Sequence, residues 1–145
     1  AEERVMGSTF QEIEIRAPVE TVWKAIRNFH DLSWAPNVVK SVEVVGEKPP
    51  EKPGAGRVLN GVFHETLRTL NDDAKSFTYS IDDGPGPLSD GQMSNYVGCV
   101  IVEHIATGPR VEWTSRWEQN DEAIYEFCHP IYLALLDDMK ASLEP

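Results

Sequence analysis

Along residues 110–118, RVEWTSRWE, side chains alternate in character. Val111, Trp113, Ser115 and Trp117 share one face of an extended chain, and Glu112, Thr114, Arg116 and Glu118 the other. A period of two also runs through TFQEIEIR (9–16), VEVVGE (42–47), RVL (57–59), VFHETLRTL (62–70), SFTYSID (76–82) and NYVGCVIVEHI (95–105). These are seven candidate strands. Asn60 and Gly61, between the third and fourth, form a strong two-residue hairpin signal. Short polar turns at 71–73 and 107–109 join others as antiparallel neighbours.

Two segments follow the helical period instead. Val19, Val22, Trp23, Ile26 and Phe29 predict an amphipathic helix over 18–28, opened by Pro18. Asp31 can cap a second short helix through DLSWA, stopped by Pro36. From residue 121 to the end, Ile124, Phe127, Cys128, Ile131, Leu135, Met139 and Leu143 make one apolar stripe. Pro130 lies inside that stretch and is expected to kink or interrupt its first turns. The order is β-α-α-β6-α, an α+β chain. A seven-stranded antiparallel sheet with one apolar face has an economical partner in the long C-terminal helix, around which it curls.

The length, 145 residues, is that of one domain spanning 1–145, and 41% apolar residues suffice for a core. The formal charge of −11 and the lack of a basic cluster argue against nucleic acid and anionic membranes as partners. No apolar run is long enough to span a bilayer, and AEERVMGS at the start does not read as a secretory signal. With two well-separated cysteines, Cys99 and Cys128, expected buried and reduced, the expected location is cytoplasmic. His30, His64, His104 and His129 form no ligand spacing, so no metal and no cofactor is expected.

The succession IEIRAPVETVWKAIRNFHDLSWAPNVVKSVEVVG, GAGRVL, ETLRTLND, and SNYVGCVIVE followed by GPRVEWTSRWE resembles the START-like, or Bet v 1-like, superfamily. Within it the chain is most similar to the polyketide cyclase/dehydrase (SRPBCC) proteins, and the match covers nearly the whole length. The resemblance implies the helix-grip fold and a hollow between sheet and last helix that takes small apolar molecules. Relatives include binding proteins, cofactor-free cyclases, dehydratases and isomerases, and domains that assist other proteins. Two departures stand out. The third strand is short, so that an arginine often facing the pocket from that strand in relatives is either missing here or replaced by Arg57. The Ser-Gly-Leu-Pro-Ala gate of plant hormone receptors is absent.

Several residues are candidates for that hollow. In the fourth strand the inward series is Phe63, Glu65, Leu67 and Thr69, which sets a carboxylate on an apolar face. Its alternative is a structural pair with Arg57 or Arg68, or a place near the rim with no task. Tyr96 shares its phase with Gly98, Val100 and Val102, and Tyr79 has the same phase one strand away. Glu65 and Tyr96 are the candidate acid/base pair. Trp34, Phe63, Leu67, Tyr79, Val100, Trp113, Ser115, Trp117, Phe127, Ile131 and Leu135 are the candidate lining. The competing expectation is that the indoles fill the space. The leading reading is a monomer or weak homodimer that binds a small hydrophobic, aromatic or polyketide-like molecule. The alternatives are a cyclase, dehydratase or isomerase using Glu65 and Tyr96, and a protein-binding accessory domain.

Overall fold

A computed structural model describes residues 6–89, 91–119 and 121–145. The opening residues that bear on a leader segment lie largely outside them. Seven strands form one antiparallel sheet: β1 (Met6–Glu14), β2 (Val42–Val45), β3 (Gly56–Leu59), β4 (Phe63–Asn71), β5 (Ser76–Asp83), β6 (Ser94–Ile105) and β7 (Gly108–Glu118). Their order is β1-β7-β6-β5-β4-β3-β2. The chain therefore runs as a meander from β2 to β7, and β1 closes the far edge against β7. Helix α1 (Val19–Ile26) follows β1, and α2 (Asp121–Leu143) ends the fold. The α2 helix packs mainly on β1, and the sheet curls about it as a helix-grip fold. No helix among the described residues is long and apolar enough to cross a membrane.

Alternation decides the faces. On β7, Val111, Trp113, Ser115 and Trp117 are all buried, while their odd-phase neighbours are half-buried or exposed. On β4 the alternation holds through Glu65 and Leu67 and then breaks. A register shift between Leu67 and Thr69 turns Thr69 outward, where its hydroxyl meets that of Thr78 at 2.6 Å. The expected inward place of Thr69 is thus lost to a bulge.

Three local expectations are also corrected. Residues 31–35 are turns, not a helix. The Ser33 N–H bonds to the Asp31 carboxylate, Ala35 N–H closes a single turn on Leu32, and Pro36 has no N–H with which to extend it. The β3–β4 connection has three residues rather than two. Asn60 and Gly61 take φ of 55° and 71°, and Val62 N–H returns to the Leu59 carbonyl, so Val62 belongs to the turn. Helix α2 runs unbroken through Pro130. Its buried face, carried by Ile124, Cys128, Tyr132, Leu135, Leu136 and Met139, is held on both sides of that residue. One missing N–H does not outweigh this packing. Both cysteines are free; Cys128 is buried and Cys99 half-buried.

A candidate ligand cavity between the sheet and the last helix

The interior cavity, about 50 Å³, lies between α2 and the β3–β5 half of the sheet. Phe63, Tyr79, Trp113, Ile131 and Leu135 from the expected lining stand in its wall, with Glu65 of the candidate acid/base pair. Arg57, Leu59, Ile81, Cys128 and Tyr132 join them, and Leu32, Val38 and Val39 come from the segment after α1. Drug-sized sites occupy roughly 300–1,000 Å³. The present space is far smaller, because aromatic rings fill most of it.

Those rings are placed by cross-strand glycines. A Cβ on Gly98 would fall inside the Tyr79 ring, its partner across the β5–β6 ladder. A Cβ on Gly7 would fall inside the Trp117 indole, across the β1–β7 ladder. Trp117 stacks on Tyr96 with centroids 5.5 Å apart and planes 7° apart, and neither stands in the cavity wall. Trp113 meets Tyr132 of α2 at 5.2 Å and Trp34 at 6.3 Å. Of the two indoles expected to face a guest, Trp113 stands in the cavity wall and Trp117 does not.

Leu67 and Val100 are core residues outside the wall, and Trp34 is buried behind Trp113. Ser115 turns to β1, where its hydroxyl meets that of Thr9 at 2.6 Å. Phe127 is half-buried and pairs with Phe63 at 6.4 Å, beside the cavity rather than in its wall.

Glu65 is paired. Arg57 faces it across the β3–β4 ladder, with Nε 2.8 Å and Nη2 2.6 Å from Oε1. The third Arg57 nitrogen, Nη1, donates to the Phe29 carbonyl at 3.0 Å, and the guanidinium lies 3.8 Å from the Phe29 ring centroid. Both side chains are buried. Burial pushes the Glu65 carboxyl above its ordinary value; the attraction of Arg57 opposes this and is the smaller effect. Such a pair gains little net stability, because two desolvations offset one attraction.

Tyr96 is also engaged. Its hydroxyl lies 2.5 Å from that of Tyr132, which lies 2.8 Å from that of Tyr79. The Trp113 Nε1–H donates to the Tyr79 hydroxyl at 2.9 Å. Burial pushes all three phenols well above their ordinary value, so they remain protonated at neutral pH. Tyr132 was missed in the sequence pattern because it lies one position beside the expected stripe of Ile131 and Leu135. A polar-tipped residue within an apolar segment was the available signal.

A curled antiparallel sheet gripping a C-terminal helix, with a cavity between them, defines a helix-grip protein. The family model described as "Polyketide cyclase / dehydrase and lipid transport" matches residues 6–144, and the chain belongs to that family. Among solved structures, a protein from Nitrosospira multiformis is similar at 38% identity and a TM-score of 0.90, covering 94% of this chain and 95% of the other. XoxI from Bacillus cereus is similar at 26% identity and a TM-score of 0.78, covering 94% and 95%. The ginseng major latex-like protein 151 from Panax ginseng shares the fold, at 16% identity and a TM-score of 0.78, over 97% and 99%. No curated protein matches the chain.

Proposed function

We propose that the chain binds a small, mainly apolar molecule in the cavity between α2 and the β3–β5 half of the sheet. The carrying observation is the wall itself: apolar side chains surround a buried Arg57–Glu65 pair. A core made only for stability would do as well with hydrophobic residues of the same volume there. A polar pair retained at the wall of an interior cavity fits a guest with one polar end.

The cavity's size sets a condition. About 50 Å³ holds a few waters or a very small guest. A larger guest displaces part of the wall, and the segment carrying Leu32, Val38 and Val39 is, with Asn60 of the β3–β4 turn, the part outside regular structure. Its anchors are side-chain hydrogen bonds: Asn37 to Asp138 on α2, and Asn60 to Val38 and Lys40. Binding is placed ahead of catalysis because Glu65 is held by Arg57 and Tyr96 by Tyr132. Proton transfer to a substrate would first require both to exchange partners.

Native mass spectrometry of protein purified from its own host tests this reading. A bound small molecule, released on denaturation, is the expected result. No bound mass, and no saturable response of Trp113 fluorescence to apolar probes, would overturn it. A second reading has one observation in its favour. The nearly filled interior, with a net charge of −11, suits an accessory domain that binds a basic protein partner. Salt-sensitive capture of one basic protein by chain that binds no apolar probe would favour it.

A further inference from the structure

We infer that the cavity selects a neutral guest bearing a carbonyl or hydroxyl group, read by the Tyr79 hydroxyl, and excludes the corresponding carboxylate. This rests on the proposed binding role of the cavity. The argument is a count of protons. Trp113 Nε1–H can only donate, so the Tyr79 oxygen accepts from it. The three phenols Tyr79, Tyr132 and Tyr96 own three protons and share two hydrogen bonds, which leaves one proton over.

When the bonds run from Tyr79 through Tyr132 to Tyr96, the spare proton is on Tyr96. There the Ser115 hydroxyl and the Cys128 thiol are its polar neighbours. Tyr79, a residue of the cavity wall, then keeps one lone pair unused, which suits a guest hydroxyl. When the bonds run the other way, the spare proton is on Tyr79 and a guest carbonyl accepts it. Passing between the two settings requires only rotation of hydroxyl hydrogens about their C–O bonds. No heavy atom has to move, which matters in a space this closely packed.

Charge supplies the exclusion. The ionisable carboxylate and guanidinium in the wall, Glu65 and Arg57, face each other, and Arg57 also donates to the Phe29 carbonyl. The phenols remain neutral. A guest carboxylate would therefore leave water for an apolar space with no cation free to receive it.

The test is an NMR titration of the full chain, ¹⁵N-labelled at the indoles, with cyclopentane, cyclopentanone, cyclopentanol and cyclopentanecarboxylate. The Trp113 indole proton reports directly on Tyr79. It is expected to shift most with ketone and alcohol, and by a smaller but saturable amount with the hydrocarbon. The carboxylate is expected to bind about tenfold or more weakly than the ketone at neutral pH. Tyr79→Phe is expected to weaken ketone and alcohol about 5–10-fold and to leave cyclopentane unchanged. Equal affinity for ketone and carboxylate, or a Tyr79→Phe loss shared by the hydrocarbon, would overturn the inference while leaving the cavity a binding site. Failure of every probe, cyclopentane included, would overturn the binding role and this inference with it. The wild-type comparisons stand alone should Tyr79→Phe not fold.

Discussion

Arg57 Nη2 lies 2.6 Å from Glu65 Oε1, and both side chains are withdrawn from water. Removing the cation alone leaves a buried carboxylate with its main opposing influence gone. Arg57→Met is expected to cost about 3–5 kcal/mol at neutral pH by urea denaturation, whereas Arg57→Met with Glu65→Leu stays close to wild type. The pH dependence fixes the sign. The folded Glu65 pKa is already raised above 4.5 and rises further in Arg57→Met, so stability is fully present below 4.5 and declines as pH climbs through the folded value. The deficit of Arg57→Met should therefore shrink on acidification. A deficit independent of pH, or as large in the double variant, would show that the pair is not the cause.

Gly98 and Tyr79 are cross-strand partners in which the absence of one side chain is the seat of the other. Gly98→Ala puts a methyl group inside the phenol ring, and Tyr79 cannot withdraw without breaking with Trp113 and Tyr132. The expected loss is about 2–3 kcal/mol in denaturant unfolding, with the Trp113 indole resonance displaced. An Ala variant as stable as wild type would mean that the ring has another place to go.

The sheet was legible because β7, β6 and β1 keep strict alternation against a single buried face. The Arg57–Glu65 contact was legible only as one alternative beside Arg68, for a reason of one residue. A two-residue loop at Asn60 and Gly61 would set Arg57 opposite His64; including Val62 in the turn sets it opposite Glu65. Thr69 was misread because a bulge leaves no mark on the periodicity. Tyr132 escaped because a helical stripe defines an arc, and rotation by one position exchanges Ile131 for Tyr132 at its centre. The size of the interior was beyond periodicity altogether: it depends on how Trp113, Tyr79 and Tyr132 interdigitate.

Asp72 receives Trp23 Nε1 at 2.9 Å and the Arg27 guanidinium at 2.9 and 3.1 Å, tying the β4–β5 turn to α1. Arg27 first, and Trp23 second, hold the carboxyl below its ordinary value of 3.8. The stabilisation is present above 3.8 and lost as pH falls through the lower, folded value. Asp72→Asn should thus reduce stability at neutral pH and show a shallower acid decline than wild type. Parallel acid curves for the two proteins would remove Asp72 as the titrating group.

Asn37 and Asp138 join the segment over the cavity to α2 through two hydrogen bonds, Asn37 N–H to Oδ2 at 2.8 Å and Nδ2–H to Oδ1 at 2.9 Å. Asp138 is buried, so its oxygens have no ready exchange with solvent when Asn37 is in place. Asn37→Ala removes the side-chain bond and leaves the backbone one. Loss of one such bond to a charged acceptor is worth about 1.5–3 kcal/mol, or roughly tenfold or more in the population of the open segment. Hydrogen exchange at Val38 and Val39 should quicken by about that factor, while amides of β6 and β7 keep their protection. Probe association and dissociation should quicken together, since opening precedes both and the wall that meets the guest is unchanged. If exchange at Val38 and Val39 is as slow in Asn37→Ala as in wild type, this segment is not the part of the wall that yields.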